Sequence, residues 1–371
     1  MKIRNKLTVI AALCLAAFVL GACNYGDGSD GQGSIRINFE NSDARYAVTN
    51  DDKTTMIYTI TLTSPGKNTI TRITGQGDIT IPVPEGDWNI QVDAEGTRVI
   101  GKGNTNVQVT AGQTAPANIR MTVTGTRVSS WSELVTDFQD TSLQNHSIEI
   151  VNSFITSSAS GLNLSLTKTI TLWAKSNVTI KRHDNMNLEP VFIITNCTLI
   201  LDGTRGGTIT IRGNGNDNPD CKRALINVEE NSTLEIRNGV TITDNISGTG
   251  GGKGGGIYVK NGTINMEGGI ISSNKANTGG GVHIESGTFN MRGGVISGNT
   301  AKSSGGGVHI ESGTFTKTGG IIYGYNAETD ACNMVSNNGS VIDNKGHGVY
   351  SSSSNYSDIT LGENNNWPTS P

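Results

Sequence analysis

The sequence is poor in aromatic side chains and rich in glycine. Phenylalanine, tyrosine and tryptophan make up 5% of its 371 residues, whereas 49 residues are glycine. That share of glycine is about 13%, against a usual value of about 7%. This composition is more typical of thin, turn-rich β structure than of one large globular core. A chain of 371 residues is long enough for two or three domains.

Motifs of several enzyme classes are also lacking. The chain has no Ser-His-Asp set, no CxxC pair and no phosphate loop. Its glycine triplets separate strands of a repeat and precede no helix, so they do not indicate dinucleotide binding. We therefore predict no cofactor and no resident metal, and our first expectation is that the protein is not an enzyme.

The most informative positive feature is a unit that occurs three times. The copies begin at Gly254, Gly279 and Gly305 and read GGGIYVKNGTINMEGG, GGGVHIESGTFNMRGG and GGGVHIESGTFTKTGG. A fixed period of 25 and then 26 residues indicates stacked copies of one small unit. Such a stack holds its shape by repetition, whereas a catalytic site is usually built once. The repeat thus argues mildly against an enzyme.

Apolar and polar residues alternate within each copy. In the second copy the apolar positions are Val282, Ile284, Phe289 and Met291, and a third short run centres on Ile296. Alternation with period two predicts strands that bury one face. Three short strands in roughly 25 residues, with no helical pattern between them, predict one coil of a parallel β-helix.

Stacked coils should place equivalent side chains in columns. The expected inward columns are Ile257–Val282–Val308, Val259–Ile284–Ile310 and Ile264–Phe289–Phe315. Asn245, Asn274 and Asn299 should form a column that hydrogen-bonds along the stack. The glycine triplets are expected to form tight corners with φ > 0.

One inward position departs from the pattern. Lys317 follows Met266 and Met291 in the repeat, and we interpret it as a sign that the regular stack is ending. Counting from Ile148 to Leu361 predicts eight or nine coils.

The start of the chain reads as a lipoprotein signal. Three basic residues precede the apolar run Leu7–Leu20, which is short for a membrane span. The sequence Leu-Gly-Ala-Cys ending at Cys23 resembles the processing site of bacterial lipoproteins. That resemblance implies cleavage before Cys23 and lipidation of its thiol, with palmitate among the acyl chains. An ordinary secretory signal with a chance cysteine is the alternative.

Removing the signal changes the formal net charge from −4 to −7, because three basic and no acidic residues leave. An acidic body has no electrostatic reason to bind nucleic acid. Three cysteines would then remain besides Cys23. Cys197 and Cys221 are about one coil apart and either pair or stay as free buried thiols.

The chain is predicted to divide into five segments. They are a signal peptide (1–22), a flexible tether (23–33), a small antiparallel β-sandwich (34–124), a helical cap (129–140) and the parallel β-helix (141–367). The runs VPEGDWNIQVDA and NVQVTAGQ make the second domain resemble immunoglobulin-like or transthyretin-like modules, with Trp88 as a core anchor. Ser130 and Glu133 fit a capping box, and an apolar helical face follows. That helix is expected to cover the first coil, because open strand edges invite aggregation.

Repeats of the form GGGVxIxxGTFxMxGGxISGNxA, followed by NNGSVIDNKGHGVY, resemble the right-handed β-helix lipoproteins of spirochaetes such as treponemes. The resemblance covers about Trp131 to Trp367 and implies an all-β, right-handed parallel β-helix, a pectate-lyase-like solenoid. It also implies a lipid-anchored location in the cell envelope, at the outer membrane or cell surface. It implies little about chemistry.

Three sets of residues are candidates for chemistry. An oxygen-rich loop region with Asp184, Asp202, Asp217 and Asp220 is a possible calcium or ligand site, or else a solvated loop. The sequence Gly346-His347-Gly348 matches a short polygalacturonase motif, but Asp343 stands alone where paired aspartates are needed, so a turn histidine is the simpler interpretation.

The third set is His283 and His309, which should stack one coil apart, two residues before Glu285 and Glu311. They either share a metal ion or are ordinary surface histidines that make no aromatic platform.

The favoured function is a structural, adhesive or ligand-presenting role in the envelope. A polysaccharide lyase or glycoside hydrolase acting on acidic glycans, and a non-catalytic glycan-binding module, are the alternatives. The expected partners are the membrane, through the lipid, and a host or envelope protein or glycan. A convergent carboxylate pair with a basic residue would favour an enzyme.

Overall fold

A computed structural model describes most of the chain. The described residues are 31–41, 55–75, 79–140, 145–157, 161–165, 167–184, 189–215, 223–248, 251–324, 332–337, 340–342, 347–352 and 359–361. They form strands β1 to β32 and one helix, α1, which confirms the prediction of an all-β fold. The predicted signal peptide with Cys23, and most of the tether, lie outside the described residues.

Seven strands form an N-terminal module. They are β1 (Gln32–Asn41), β2 (Ile57–Thr63), β3 (Ile70–Thr74), β4 (Ile79–Pro84), β5 (Gly86–Glu95), β6 (Val99–Val109) and β7 (Thr114–Val128). Hydrogen bonding orders them β4–β1–β7–β6–β5–β2–β3. Strands β1 and β7 run parallel, so the prediction of a purely antiparallel module is wrong at this pair. Five strands intervene between them, and no hairpin imposes an antiparallel direction.

The inward residues of these strands gather into one apolar core. Trp88 lies within it, 1% exposed. Its indole N–H donates to the carbonyl of Pro84 at 2.9 Å, so the ring is buried without leaving its polar atom unpaired. The prediction that Trp88 is a core anchor is confirmed.

Strand β7 belongs to both parts of the molecule. Its first residues pair with β1, and its last three, Thr126 to Val128, pair in parallel with Ile148 to Ile150. The sheet of the N-terminal module thus continues into the stack. Side chains reinforce this joint, where Arg98 contacts Asp137 at 2.7 Å and Arg127 contacts Glu149 at 3.1 Å.

Helix α1 (Trp131–Gln139) follows β7. The Ser130 hydroxyl accepts from the backbone N–H of Glu133, as expected for the predicted N-cap. The Glu133 carboxylate accepts from the backbone N–H of Ser129, one residue before the cap. The rings of Trp131 and Phe138 pack against Phe192 at about 6 Å, so the apolar face covers the core of the stack near its beginning. Within the described residues, no helix has the length and apolar character needed to cross a membrane.

The first half of the stack contains twelve described strands. They are β8 (Asn145–Ile150), β9 (Phe154–Ile155), β10 (Leu162–Leu164), β11 (Thr169–Trp173), β12 (Val178–Lys181), β13 (Phe192–Ile194), β14 (Thr198–Asp202), β15 (Ile209–Arg212), β16 (Ile226–Val228), β17 (Thr233–Ile236), β18 (Val240–Thr243) and β19 (Ile246–Ser247).

The second half contains thirteen described strands. They are β20 (Ile257–Met266), β21 (Ile270–Ser272), β22 (Lys275–Thr278), β23 (Val282–Met291), β24 (Val295–Ser297), β25 (Thr300–Ser304), β26 (Val308–Ile310), β27 (Thr314–Lys317), β28 (Ile321–Ile322), β29 (Met334–Asn337), β30 (Ser340–Val341), β31 (Val349–Ser351) and β32 (Ile359–Leu361).

These strands pair between successive coils, in parallel. One ladder contains β8, β11, β14, β17, the second half of β20, the second half of β23, β27 and β32. A second runs from β10 to β31, a third from β9 to β28, and a fourth from β19 to β29. The first ladder has eight described strands, in agreement with the predicted eight or nine coils. Strand β30 pairs antiparallel with β29.

The predicted inward columns are confirmed. Ile257 pairs with Val282, Val282 with Val308, and the other two columns keep the same register. All of these side chains are at most 2% exposed. The first column continues to Val349. Because each inward residue packs on its equivalent in the next coil, the repeat forms one continuous core.

The asparagine column is also confirmed. The backbone N–H of Asn245, Asn274 and Asn299 donates to the side-chain oxygen of the next asparagine at 3.0 to 3.1 Å. The last acceptor is Asn333, and all four side chains are fully buried. The guanidinium of the buried Arg182 bonds to Asn245 at 2.9 Å and so begins the column on its other side.

The glycine triplets form the expected corners. Gly254, Gly279 and Gly305 have φ between +63° and +68°, a region that favours glycine. A Cβ on Gly279 would also lie 2.8 Å from the Cβ of His283. The corner therefore lies directly against the histidine that follows it.

The inward lysine marks the last part of the stack. Lys317 pairs with Met291 on one side and with Leu361 on the other, so one more strand follows it among the described residues. Its side chain is buried, and burial lowers its pKa.

Candidate functional site

Four rings from successive coils form one column on the second ladder. Tyr258, His283, His309 and Tyr350 occupy equivalent positions. The two imidazole rings are stacked and nearly parallel, with 4° between their planes and 4.7 Å between their centroids. Tyr258 stacks on His283 at 5.9 Å, and Tyr350 on His309 at 5.2 Å. We call this set the ring column.

The predicted stacking of His283 and His309 is confirmed, but their predicted surface character is wrong. The two residues are only 1% and 7% exposed. The glycine corner before each histidine packs against it, and the neighbouring rings cover its faces. The rings of the column stack on one another and turn their faces to each other.

Hydroxyl groups fix both imidazoles. Thr278 and Ser304 precede the two glycine triplets, and their hydroxyl oxygens lie 3.0 and 2.9 Å from Nδ1 of His283 and His309. Lys253 occupies the equivalent position of the preceding coil, because its backbone forms a parallel β-bridge with Thr278. Nδ1 of each histidine is thus held by its own coil, and Nε2 of His283 points toward the next.

Two glutamates from successive coils meet beside the column. The ammonium of Lys253 lies 2.7 Å from Oε2 of Glu285 and 2.8 Å from Oε2 of Glu311. The Tyr258 hydroxyl donates to Glu285 at 2.6 Å, and Nε2 of His283 lies 3.2 Å from Glu311. We call Lys253, Tyr258, His283, Glu285 and Glu311 the lysine–glutamate cluster.

The charges of this cluster are mutually stabilised. Hydrogen bonding to Lys253 lowers the pKa of both Glu285 and Glu311. Partial burial opposes the charge of Lys253, but its bonds to the two carboxylates raise its pKa. Burial, and then the interaction with Glu285, raise the pKa of Tyr258. Around neutral pH the cluster holds one ammonium, two carboxylates and a neutral phenol.

Both histidines are neutral in this setting. Burial, followed by the neighbouring His309, lowers the pKa of His283 to about 4. Burial also lowers the pKa of His309 to about 4. A neutral imidazole is the form that ligates metals. Among the described residues, one nitrogen of His283 and one oxygen each of Glu285 and Glu311 lie within 4.8 Å of one another.

Two of the four aspartates of the predicted calcium loop, Asp184 and Asp202, are described, and both form ion pairs. Asp184 pairs with Lys181 at 3.2 Å. Asp202 is buried, accepts from the backbone N–H and hydroxyl of Thr204, and contacts Arg205 and Arg237 at 3.0 and 3.1 Å.

The described aspartates of this region thus each have cationic partners. Asp217 and Asp220 lie outside the described residues, so the loop stays a prediction.

His347 has a structural contact. Its Nδ1 accepts from the backbone N–H of Val335 at 2.8 Å, as expected for a histidine in a turn. Asp343 and Gly346, from the same predicted motif, lie outside the described residues.

Comparison with known proteins gives no match. This holds for protein-family models, for curated proteins and for solved structures.

Sequence reasoning missed the central member of the cluster. Lys253 precedes the first glycine triplet, where the later copies carry Thr278 and Ser304. Its place relative to the triplet was the available signal, because equivalent positions of stacked coils lie side by side. Cys197 is a free buried thiol, and burial raises its pKa to about 11. Cys221, its predicted alternative partner, lies outside the described residues.

Proposed function

We propose that this chain is a lipid-anchored protein of a bacterial cell envelope with an adhesive or ligand-presenting role. Its stacked strands would form a right-handed parallel β-helix, of the kind found in the spirochaete lipoproteins that the repeats resemble. The observation that carries the proposal is the register of the parallel ladders, which places equivalent side chains of successive coils side by side.

The register supports presentation of a surface rather than a single cavity. Repeat proteins commonly bind partners through extended faces made of equivalent positions. Here the ring column extends across four coils, from Tyr258 to Tyr350, and the lysine–glutamate cluster lies beside it. A partner contacting this face would meet the partly exposed side chains of Lys253, Glu285 and Glu311, which lie beside the buried rings.

Lipid anchoring is tested at Cys23. Cells expressing the full chain are labelled with a palmitate analogue and then fractionated. We expect label and membrane association in the wild type and in Cys14→Ser, and neither in Cys23→Ser. Equal labelling of Cys14→Ser and Cys23→Ser would contradict the proposal. Protease digestion of intact cells then tests whether the stack is exposed at the surface.

A polysaccharide lyase or hydrolase is the second candidate, because two carboxylates and a basic residue converge. The ligand oxygens of Glu285 and Glu311 lie within 4.8 Å of each other, and glycosidases that retain configuration hold their carboxyl groups about 5 to 5.5 Å apart. This is the arrangement that sequence analysis named as favouring an enzyme.

The electrostatics weaken that candidate. A glycosidase needs one carboxyl with a raised pKa to act as acid, whereas Lys253 lowers the pKa of both Glu285 and Glu311. A tyrosine base would need a lowered pKa, and that of Tyr258 is raised. Lys253 therefore keeps both carboxylates ionised, which favours binding and stability over proton transfer.

A degradation screen separates the two candidates. Acidic polysaccharides are incubated with the wild type, with the Glu285→Gln/Glu311→Gln double variant, and with Glu267→Gln as a surface control. The proposal predicts no release of unsaturated or reducing sugars by any of the three. Release by the wild type and Glu267→Gln, but not by the double variant, would establish the enzyme.

A further inference from the structure

We propose that His283, Glu285 and Glu311 form a binding site for a divalent metal ion of the zinc class. The three side chains come from two successive coils, and one ligand atom of each lies within 4.8 Å of the other two. This inference goes beyond the envelope role and does not depend on it.

The donor set favours zinc over calcium. Zn²⁺ accepts one imidazole nitrogen together with carboxylate oxygens, usually in a four-coordinate site. Ca²⁺ takes six to eight oxygen ligands, and a site whose buried donor is a histidine does not supply them. Three protein ligands leave one position of a tetrahedral zinc site for water or a partner's side chain.

The ligands are already held by outer groups, as in established metal sites. The hydroxyl of Thr278 lies 3.0 Å from Nδ1 of His283, and the Tyr258 hydroxyl donates to Glu285 at 2.6 Å. A hydroxyl can either donate to Nδ1 or accept from it. Acceptance from Nδ1–H would leave the lone pair of Nε2 free to coordinate the ion.

A cation already occupies the meeting point of the two carboxylates. The Lys253 ammonium binds both at 2.7 and 2.8 Å, which shows that the geometry accommodates positive charge at this place. Lys253 has a flexible stem, and 38% of its side chain is exposed. It can swing into water when an ion with two charges takes its place. Lys253 therefore acts as an internal competitor for the metal.

If Lys253 competes with the metal ion, removing its ammonium should tighten metal binding, whereas removing a ligand should weaken it. Zn²⁺ is titrated calorimetrically into the full-length chain, and Co²⁺ spectra report the ligand type. We expect one ion per chain, at least tenfold weaker binding in Glu311→Gln and in His283→Asn, and several-fold tighter binding in Lys253→Met. Glu267→Gln, which removes an exposed glutamate paired with Arg292 at 2.6 Å, serves as the charge-matched control and should bind like the wild type.

Several results would overturn the site. They are an absence of Zn²⁺ binding, equal binding by wild type and Glu311→Gln, weaker binding by Lys253→Met, or a preference for Ca²⁺. Glu311 is a half-exposed residue, so its replacement should leave the fold intact even if His283→Asn does not fold. These readouts are independent of lipidation and of cell location.

Discussion

The early coils and the regular coils are stabilised in different ways. In the regular coils, from Gly254 to Gly320, the same residue recurs at each register, so polar groups such as Asn274 and Asn299 bond to their own equivalents. In the early coils, residues 145–248, charged groups pair mainly with residues of another type, as when Asp202 binds Arg237. A regular coil thus depends on a column, whereas an early coil depends on individual pairs.

The largest expected effect comes from interrupting a column. Asn299→Ala removes bonds to the carbonyl of Ile271 and to Asn333, and leaves the backbone N–H of Asn274 unpaired. Each buried unpaired group costs about 1 to 3 kcal/mol, so we expect a loss of about 4 kcal/mol in the free energy of unfolding.

Denaturant titration measures that loss. The control is Asn290→Ala, since Asn290 is half-buried on the outer side and donates one side-chain bond, to Asn265. It should cost less than about 1 kcal/mol. Equal losses for the two substitutions would show that the buried asparagine column contributes no more to the free energy of unfolding than an outer side-chain bond.

Acid should destabilise the start of the early coils through His146. His146 is buried at the joint, with Nε2 2.7 Å from the Thr126 hydroxyl. Burial, and then the charge of Lys168, lower its pKa to about 4 from an ordinary 6.5. The unfolded chain therefore binds a proton more readily, and stability that is complete above pH 6.5 is lost as the pH falls toward 4.

The loss assigned to His146 is at most about 3 kcal/mol, at about 1.4 kcal/mol for each pH unit. Unfolding measured from pH 7.5 to pH 4 should show a shallower decline in His146→Gln than in the wild type. Parallel pH profiles for the two proteins would contradict the assignment.

An individual pair of the early coils should matter less than a column. Asp202→Asn removes the charge that faces Arg205 and Arg237, and we expect a loss of about 2 kcal/mol, because hydrogen bonds to charged groups contribute about 1.5 to 3 kcal/mol. Asp244→Asn is the control, because its ion pair with Arg212 is exposed and should contribute less than about 1 kcal/mol. A cost of Asp202→Asn equal to that of Asn299→Ala would remove the distinction between the two kinds of coil.

The smallest effect is a gain. Lys317→Met would extend the column of Met266 and Met291 and should stabilise the stack by about 1 kcal/mol, the scale of a favourable core replacement. Burial lowers the pKa of Lys317, so at neutral pH the folded wild type carries a buried ammonium that destabilises it. As the pH rises toward 10.5, Lys317 loses its proton in the folded state and this cost disappears, so the gain from Lys317→Met should shrink. Lys260→Met, at an exposed position, should change stability little; a gain equal to that of Lys317→Met would point to hydrophobicity alone.

The same contrast explains what the sequence could predict. In the regular coils one residue identifies its neighbour, because the equivalent residue lies 25 or 26 positions away. The inward columns, the asparagine column and the contact between His283 and His309 all followed from that rule. In the early coils the partner of Asp202 is 35 residues away and of another type, so no repeat indicated it.

The candidate site was only partly predictable for a related reason. The spacing of the histidines and glutamates is repeated, and it placed Glu285 and Glu311 near the imidazoles. Lys253 occurs once, where the later copies carry a hydroxyl residue. The burial of His283 depends on how closely a glycine corner approaches it, which alternation along one strand does not reveal.

The parallel pairing of β1 with β7 has a mechanical consequence. The chain enters the N-terminal module through β1 and leaves it through β7, and the two strands lie side by side from Ser34 to Asn41. A pull between the preceding segment and the stack would slide one strand along the other. All of their hydrogen bonds would then bear load together, instead of breaking one at a time as in an opening zipper. The module is arranged to resist tension along the chain.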